Sequence, residues 1–167
     1  MEFFHTVHQR QSVRKYQQKP IEPEKLQAIL DAANRAPSAG NFQAYEIFVV
    51  RGAEKIRMLA DATFDQKFVA EAPVALIFCA NPSRCQYQPP DYFALQDTSI
   101  ATTFAMMAVT ALGLSACWVG AFIPEKVAGA MQLPQGLKPV AILPIGYAAE
   151  TPEHTTRREI SDLVHEL

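Results

Sequence analysis

Arg10, Ser12 and Arg14 alternate along the stretch "RQSVRKY". In extended chain, alternate side chains share a face. Two guanidiniums and a hydroxyl then stand on one side, with Val13 and Tyr16 outside that set. Such a group suits a phosphate, which accepts bidentate, charge-assisted hydrogen bonds. Spacing alone fits a solvated basic turn as well. A second cluster is "APSAGNFQ", Ala36 to Gln43. A plain connection from helix to strand needs only a stop and a turn, yet this one carries Ser38, Asn41 and Gln43 among small residues and a proline. These polar groups either satisfy the loop's own backbone or meet the edge of a polar ligand. A third stretch, "GLSACWVGAF" from Gly113 to Phe122, reads as a core strand ending in a glycine turn, or as backbone brought close to a ligand at Gly120. Arg157-Arg158 lies near the C-terminus, as surface charge or as further anion-binding groups.

Other chemistries lack their residues. No GxGxxG follows a strand, no GxxxxGK[ST] occurs, and no GxSxG elbow is present. His5, His8, His154 and His165 sit near the termini, pair with no nucleophile, and read as surface or packing groups. Cys79, Cys85 and Cys117 are far apart and odd in number, with no CxxC or Cys/His cluster. The sequence therefore points to no metal site and no disulfide framework, and free thiols suit a reducing cytoplasm. A net charge of −2 over 167 residues offers none of the basic footprint of a nucleic-acid binder. The first residues lack the basic region and long apolar run of a signal peptide.

These groups need elements to carry them. The chain length predicts one domain over residues 1–167. Glu2 to Gln9 reads as a helix with Phe3, Phe4 and Val7 on one face. "PIEPEKLQAILDAANRAP" reads as a second, with Pro23 in its first turn, Leu26, Ile29, Leu30 and Ala33 as its apolar stripe, and Pro37 as its stop. Tyr45 to Val50 and "PVALIFCA" from Pro73 read as strands, with Ala53 to Ala62 helical and a short helical turn from Gln66 to Ala70 between them. After a loop from Asn81 to Pro90, a long helix is predicted from about Tyr92 to Leu114. "SACWV" is then a short strand, Pro124 to Met131 a helix, "KPVAILPIGYAAE" a strand ending near Gly146, and the tail ends in a short helix. Strands interleaved with helices predict a layered α/β arrangement in the α+β class. From Thr98 to Pro124 no residue is charged. That run could span a bilayer, but Gly113, Ser115 and several threonines interrupt it and no basic cluster flanks it. It reads instead as a helix covered on nearly every side, in part by a second subunit.

Taken together and in order, these stretches resemble the nitroreductase family of flavoproteins, over almost the whole chain. The family pattern R-x-S-x-R-x-[FY] is met by Arg10 to Tyr16, and [AP]-P-S-x-x-N-x-Q by Ala36 to Gln43. "EAPV" at Glu71, "ALQD" at Ala94, "LGLSACWVGAF", "LPIGY" and a late Arg157 follow at similar spacing. The resemblance implies a mixed sheet flanked by helices, with bound FMN at the interface of a homodimer and the long apolar helix at its centre. It assigns Arg10 and Arg157 to the FMN phosphate, with Ser12 assisting, Gln11 beside them and Arg158 as a further candidate. Arg14 falls at the N1/C2 carbonyl edge of the ring. Pro37, Ser38 and Ala39 come from the partner subunit, with Asn41 and Gln43 bonding nearby. The stretch Trp118-Val119-Gly120-Ala121 brings a backbone N–H of Gly120 or Ala121 to flavin N5, and Gln66 touches the pyrimidine edge. Thr155 departs from the pattern: many relatives carry lysine there. The chain is also short for the family and lacks the inserted helices that shape substrate pockets in larger members.

The resemblance implies hydride transfer from NAD(P)H to the flavin, then reduction of a small-molecule acceptor such as a nitroaromatic or quinone at the same face (ping-pong). The cofactor carries that chemistry, so no catalytic side chain is expected. Two alternatives stand beside it. One is another flavin reaction on the same fold, reductive dehalogenation or flavin fragmentation. The other is a non-catalytic flavin-binding module. Neither nucleic acid nor a membrane is an expected partner.

Overall fold

A computed structural model describes residues 2–167. The first helix, α1 (Phe3–Gln9), begins where the Glu2 carboxylate accepts hydrogen bonds from the N–H groups of Phe4 and His5, each at 3.2 Å. It ends at Arg10, where the backbone turns extended. Helix α2 (Pro23–Asn34) has proline in its first turn and buries Leu26, Ile29 and Ala33, three positions of one helical face. The other helices are α3 (Ala53–Asp61), α4 (Pro90–Ala111) and α5 (Pro124–Met131). The strands are β1 (Tyr45–Arg51), β2 (Val74–Ala80), β3 (Ser115–Ala116) and β4 (Lys138–Gly146). Their order across the sheet is β1-β2-β4-β3.

Strand β2 is buried along its whole length, so both faces of the sheet are covered. Its side chains alternate as pleating requires. Leu76 and Phe78 meet α2 and α4 in one core, with Ile29, Ala101, Ala105 and Val109. Ala75, Ile77 and Cys79 meet α3 and α5 in the other, with Ile56, Leu59 and Val127. The result is the layered α+β arrangement expected. All three strand ladders are antiparallel. The parallel element of the sheet is one residue pair, Ser12 with Ala116, where the extended chain after α1 joins the edge strand β3.

Helix α4 starts two residues earlier than its apolar pattern predicts, because Pro90 is tolerated in a first turn. It stops at Ala111, ahead of Gly113 in the left-handed region at φ 72°. Its buried face is Ala94, Asp97, Thr98, Ala101, Thr102, Ala105 and Val109. Thr98 and Thr102 satisfy their buried hydroxyls by donating to the carbonyls of Ala94 (2.6 Å) and Thr98 (2.7 Å). The opposite face is not covered by this chain: Leu95 is 50% and Phe104 40% exposed. Among the described residues no helix is long and apolar enough to cross a membrane. The stretch "SACWV" forms less strand than its apolar run predicts. Only Ser115 and Ala116 pair with β4 in register, and Val119 returns to it as an isolated bridge with Ile142. The tail closes in a 3-10 turn at Ile160–Asp162 in place of the terminal helix expected.

Candidate active site

The segment between α1 and α2 positions the first arginines. The Val13 N–H donates to the Ala116 carbonyl at 3.2 Å, and the Tyr16 hydroxyl donates to the carbonyls of Val13 and Pro144. Val13 and Tyr16 are buried. Burial of Val13 turns its neighbours Ser12 and Arg14 to the other side, as the alternation requires. The backbone N–H of Arg14 is held by the Glu150 carboxylate at 2.6 Å, and its guanidinium lies over the Phe68 ring, 5.9 Å from the centroid.

These residues line a cavity of about 630 Å³ together with the late arginine. Arg10, Gln11, Ser12, Arg14 and Arg157 face it, joined by His8 and His154. The Arg157 guanidinium is steadied by its own turn, donating to the Thr155 hydroxyl at 2.7 Å and the Thr156 carbonyl at 3.1 Å. Thr155 thus orients a cation here. Among the described residues none of the three arginines is in an ion pair. The Gln11 amide meets the His154 ring, while the Gln11 Oε1 atom is buried without a donor. Beneath this group lies Cys117, 3% exposed. Burial pushes its thiol up, and Arg14, the Ser12 hydroxyl and Arg10 pull it partway back. Cys117 is a neutral thiol at ordinary pH and offers neither nucleophile nor metal ligand.

The second predicted group lies next to the first, since Cys117 leads directly into Trp118. Val119 is fully buried and exchanges both backbone hydrogen bonds with Ile142, at 2.9 Å each. It has no group left for a ligand, and its part is to clamp the turn that follows. That turn, Gly120-Ala121, is exposed. Among the described residues neither N–H of the turn finds a backbone acceptor. Gln66 donates to the Ala121 carbonyl at 2.7 Å, so the Gln66 and Ala121 positions do converge. Trp118 is half-buried, its indole nitrogen beside Gly120.

The third group is elsewhere. None of residues 37–43 lines the cationic cavity. Their loop is pinned by Asp97, 1% exposed on α4, whose carboxylate accepts from the N–H of Ala39 (2.9 Å) and of Ala44 (3.2 Å). The Ser38 hydroxyl accepts from the Gln43 N–H at 3.1 Å. Gly40, Asn41 and Gln43 all have positive φ, near +50°. Pro37 and Asn41 are exposed. Gln11, at the cavity, shares a depression with Thr110 of α4, thirteen residues beyond Asp97. At 1.5 Å per residue the two groups stand about 20 Å apart along the helix.

Arg158 is not brought to the cavity. Its guanidinium donates to the Asp162 carbonyl. His8 and His154, expected as surface or packing groups, do line it. No spacing signal marked them, because they meet only when the two ends of the chain come together. Asp97 was legible as the last charge before the long uncharged run, but its partners, two loop N–H groups, leave no trace in side-chain types.

Comparison with known proteins shows the family of the chain. Residues 7–86 and 60–147 match the model of the Nitroreductase family. An NADH dehydrogenase of Thermus thermophilus is 30% identical over 172 residues, covering 84% of this chain and 84% of that protein. An FMN reductase [NAD(P)H] of Bacillus subtilis is 28% identical over 156 residues, covering 83% of this chain and 63% of that protein. Among solved structures, a nitroreductase family protein from Clostridium difficile superposes with a TM-score of 0.89 at 34% identity, covering 99% of this chain and 98% of the other.

Proposed function

The chain belongs to the nitroreductase family, and from that premise we propose that it is an FMN-dependent oxidoreductase. It takes hydride from NAD(P)H and reduces a small-molecule acceptor such as a nitroaromatic or quinone, in alternation at one site. The observation that carries the reading is the cationic cavity. Arg10, Arg14 and Arg157 line it together, against one carboxylate of the lining, Glu153, and among the described residues none of the three guanidiniums is in an ion pair. Concentrated positive charge of this kind favours a bound anion.

The residues present fit FMN. Arg10 and Arg157, with the Ser12 hydroxyl, hold the phosphate. The donorless Gln11 Oε1 atom is an acceptor suited to a ribityl hydroxyl. Arg14 is the fixed cation for the ring edge where negative charge collects on reduction. The exposed Gly120-Ala121 turn offers N–H groups toward N5, held by Val119 below and Gln66 beside it. Bound FMN supplies the two-electron chemistry, so the chain's own work is to bind, orient and exclude water.

The active form in this proposal is a homodimer, each chain a single FMN-binding domain. Pro37, Ser38, Ala39, Asn41 and Gln43 complete the site of the partner subunit. Two facts support it: the separation of the two groups along α4, and the uncovered apolar face of α4. A depression there is lined by Phe3, Val7, Phe104 and Met107. Three free, buried thiols support placement in a reducing cytoplasm.

An absorption spectrum under argon tests the function. The expected result is a yellow protein whose visible bands bleach on adding NADH or NADPH and return with a nitroaromatic or quinone. Protein that remains colourless after incubation with FMN overturns the proposal. Yellow protein that NAD(P)H cannot bleach reduces it to flavin binding.

A further inference from the structure

We propose that Asp97 is a positioning residue for the flavin site of the opposite subunit, acting through the Pro37–Gln43 loop, which its carboxylate holds at Ala39 and Ala44. The inference rests on the FMN reading above.

Asp97 is the one buried charged side chain among the described residues, and no cation pairs with it. A carboxylate taken out of water needs strong donors in compensation. It finds two backbone N–H groups, of Ala39 and Ala44. They bracket the four-residue segment, 40–43, in which Gly40, Asn41 and Gln43 take left-handed backbone. Asparagine tolerates this backbone, but at Gln43 it is strained and persists only where neighbours over-determine it. A connection from α2 to β1 has no need of such strain. What results is a loop whose Pro37, Gly40 and Asn41 are exposed. None of this loop reaches its own chain's cationic cavity. The surface fixed by Asp97 therefore serves a ligand held by another chain. Helix α4 then carries a part of both sites: Asp97 near its start sets the loop for the partner's flavin, and Thr110 near its end shares a depression with Gln11 of the chain's own cavity.

The test uses FMN binding to the apo-dimer, followed by flavin fluorescence at 25 °C. Wild-type protein is measured first, since absence of FMN binding there would refute the flavin reading itself. Asp97→Asn keeps the shape but presents an amide NH₂ to one of the two N–H donors. It is expected to weaken FMN binding at least tenfold while circular dichroism and subunit mass stay as in wild type. A heterodimer of Arg10→Ala and Asp97→Asn chains, isolated with two affinity tags, is the decisive sample. One of its sites combines both defects, and the other combines an intact cationic half with an intact loop. Recovery of one FMN per dimer at wild-type affinity is expected, which a general loss of folding could not produce. Wild-type affinity in the Asp97→Asn homodimer overturns the proposal, and so does a heterodimer without a tight site. If Asp97→Asn does not fold, amide exchange on wild-type protein decides. Residues 39–44 must gain protection when FMN binds, and unchanged exchange there overturns the proposal.

Discussion

Arg10 stands where α1 gives way to extended chain, and its guanidinium faces a cavity shared with Arg157 from the other end of the sequence. Hydrogen bonds to charged groups are worth about 1.5–3 kcal/mol. Arg10→Ala should therefore weaken FMN binding by roughly 10- to 150-fold, measured by fluorescence titration. Arg14 makes a different contribution. A positive charge fixed beside the ring favours the reduced, more negative cofactor. Arg14→Ala should lower the flavin midpoint potential in a redox titration, and a potential that does not fall would remove Arg14 from the ring edge. The residue pattern made Arg10, Ser12 and Arg14 legible because alternation survives in extended chain. It could not separate Arg157 from Arg158, adjacent residues of one tail. The Thr155 hydroxyl turns the first to the cavity and the Asp162 carbonyl turns the second away.

Among the elements, those with a simple period were read well. The stripe of α2, the unbroken apolar run of β2 and the proline start of α5 all appear as expected. The loop from Ala36 to Gln43 was legible as unusual, though not in shape. Its left-handed residues lie between two N–H groups held by Asp97, more than fifty positions later. Nor does an apolar run tell a strand from a clamp. Val119 is apolar because it anchors a turn in the core, with only Ser115 and Ala116 in register. The end of β4 tests how tightly the elements pack around the segment that carries the arginines. A Cβ on Gly146 would lie 2.9 Å from Pro73 and 3.0 Å from the buried Tyr16 ring. Gly146→Ala should cost about 1–3 kcal/mol of stability, seen as a lower Tm. It should also weaken FMN binding, because Tyr16 anchors the Arg14 segment.

For the whole molecule, the subunit arrangement is the first thing to measure. Light scattering should give about twice the 18.5 kDa chain mass. Phe104→Glu places a charge on the open face of α4; it should yield a monomer with native circular dichroism and no bound flavin. Stability should also fall in alkali. Burial, and secondarily Glu46, push the Cys79 thiol from its ordinary 9.0 up to about 12, and burial likewise raises the Tyr16 phenol. Both groups are neutral when protonated. Unfolded chain sheds these protons at lower pH than folded chain, so it binds fewer protons and stability declines as pH rises from about 9 toward 12. Thermal melts across that range should show the decline, and Cys79→Ala should lessen its slope.

The distance of about 20 Å between the two groups along α4 has a consequence for handling the protein. If neither chain alone encloses the prosthetic group, its retention and the association of subunits are one linked equilibrium. Dilution should strip the colour from the protein, and added flavin should hold the subunits together at concentrations where the apoprotein falls apart. An apparent dissociation constant for the cofactor then has meaning only alongside the protein concentration at which it was taken.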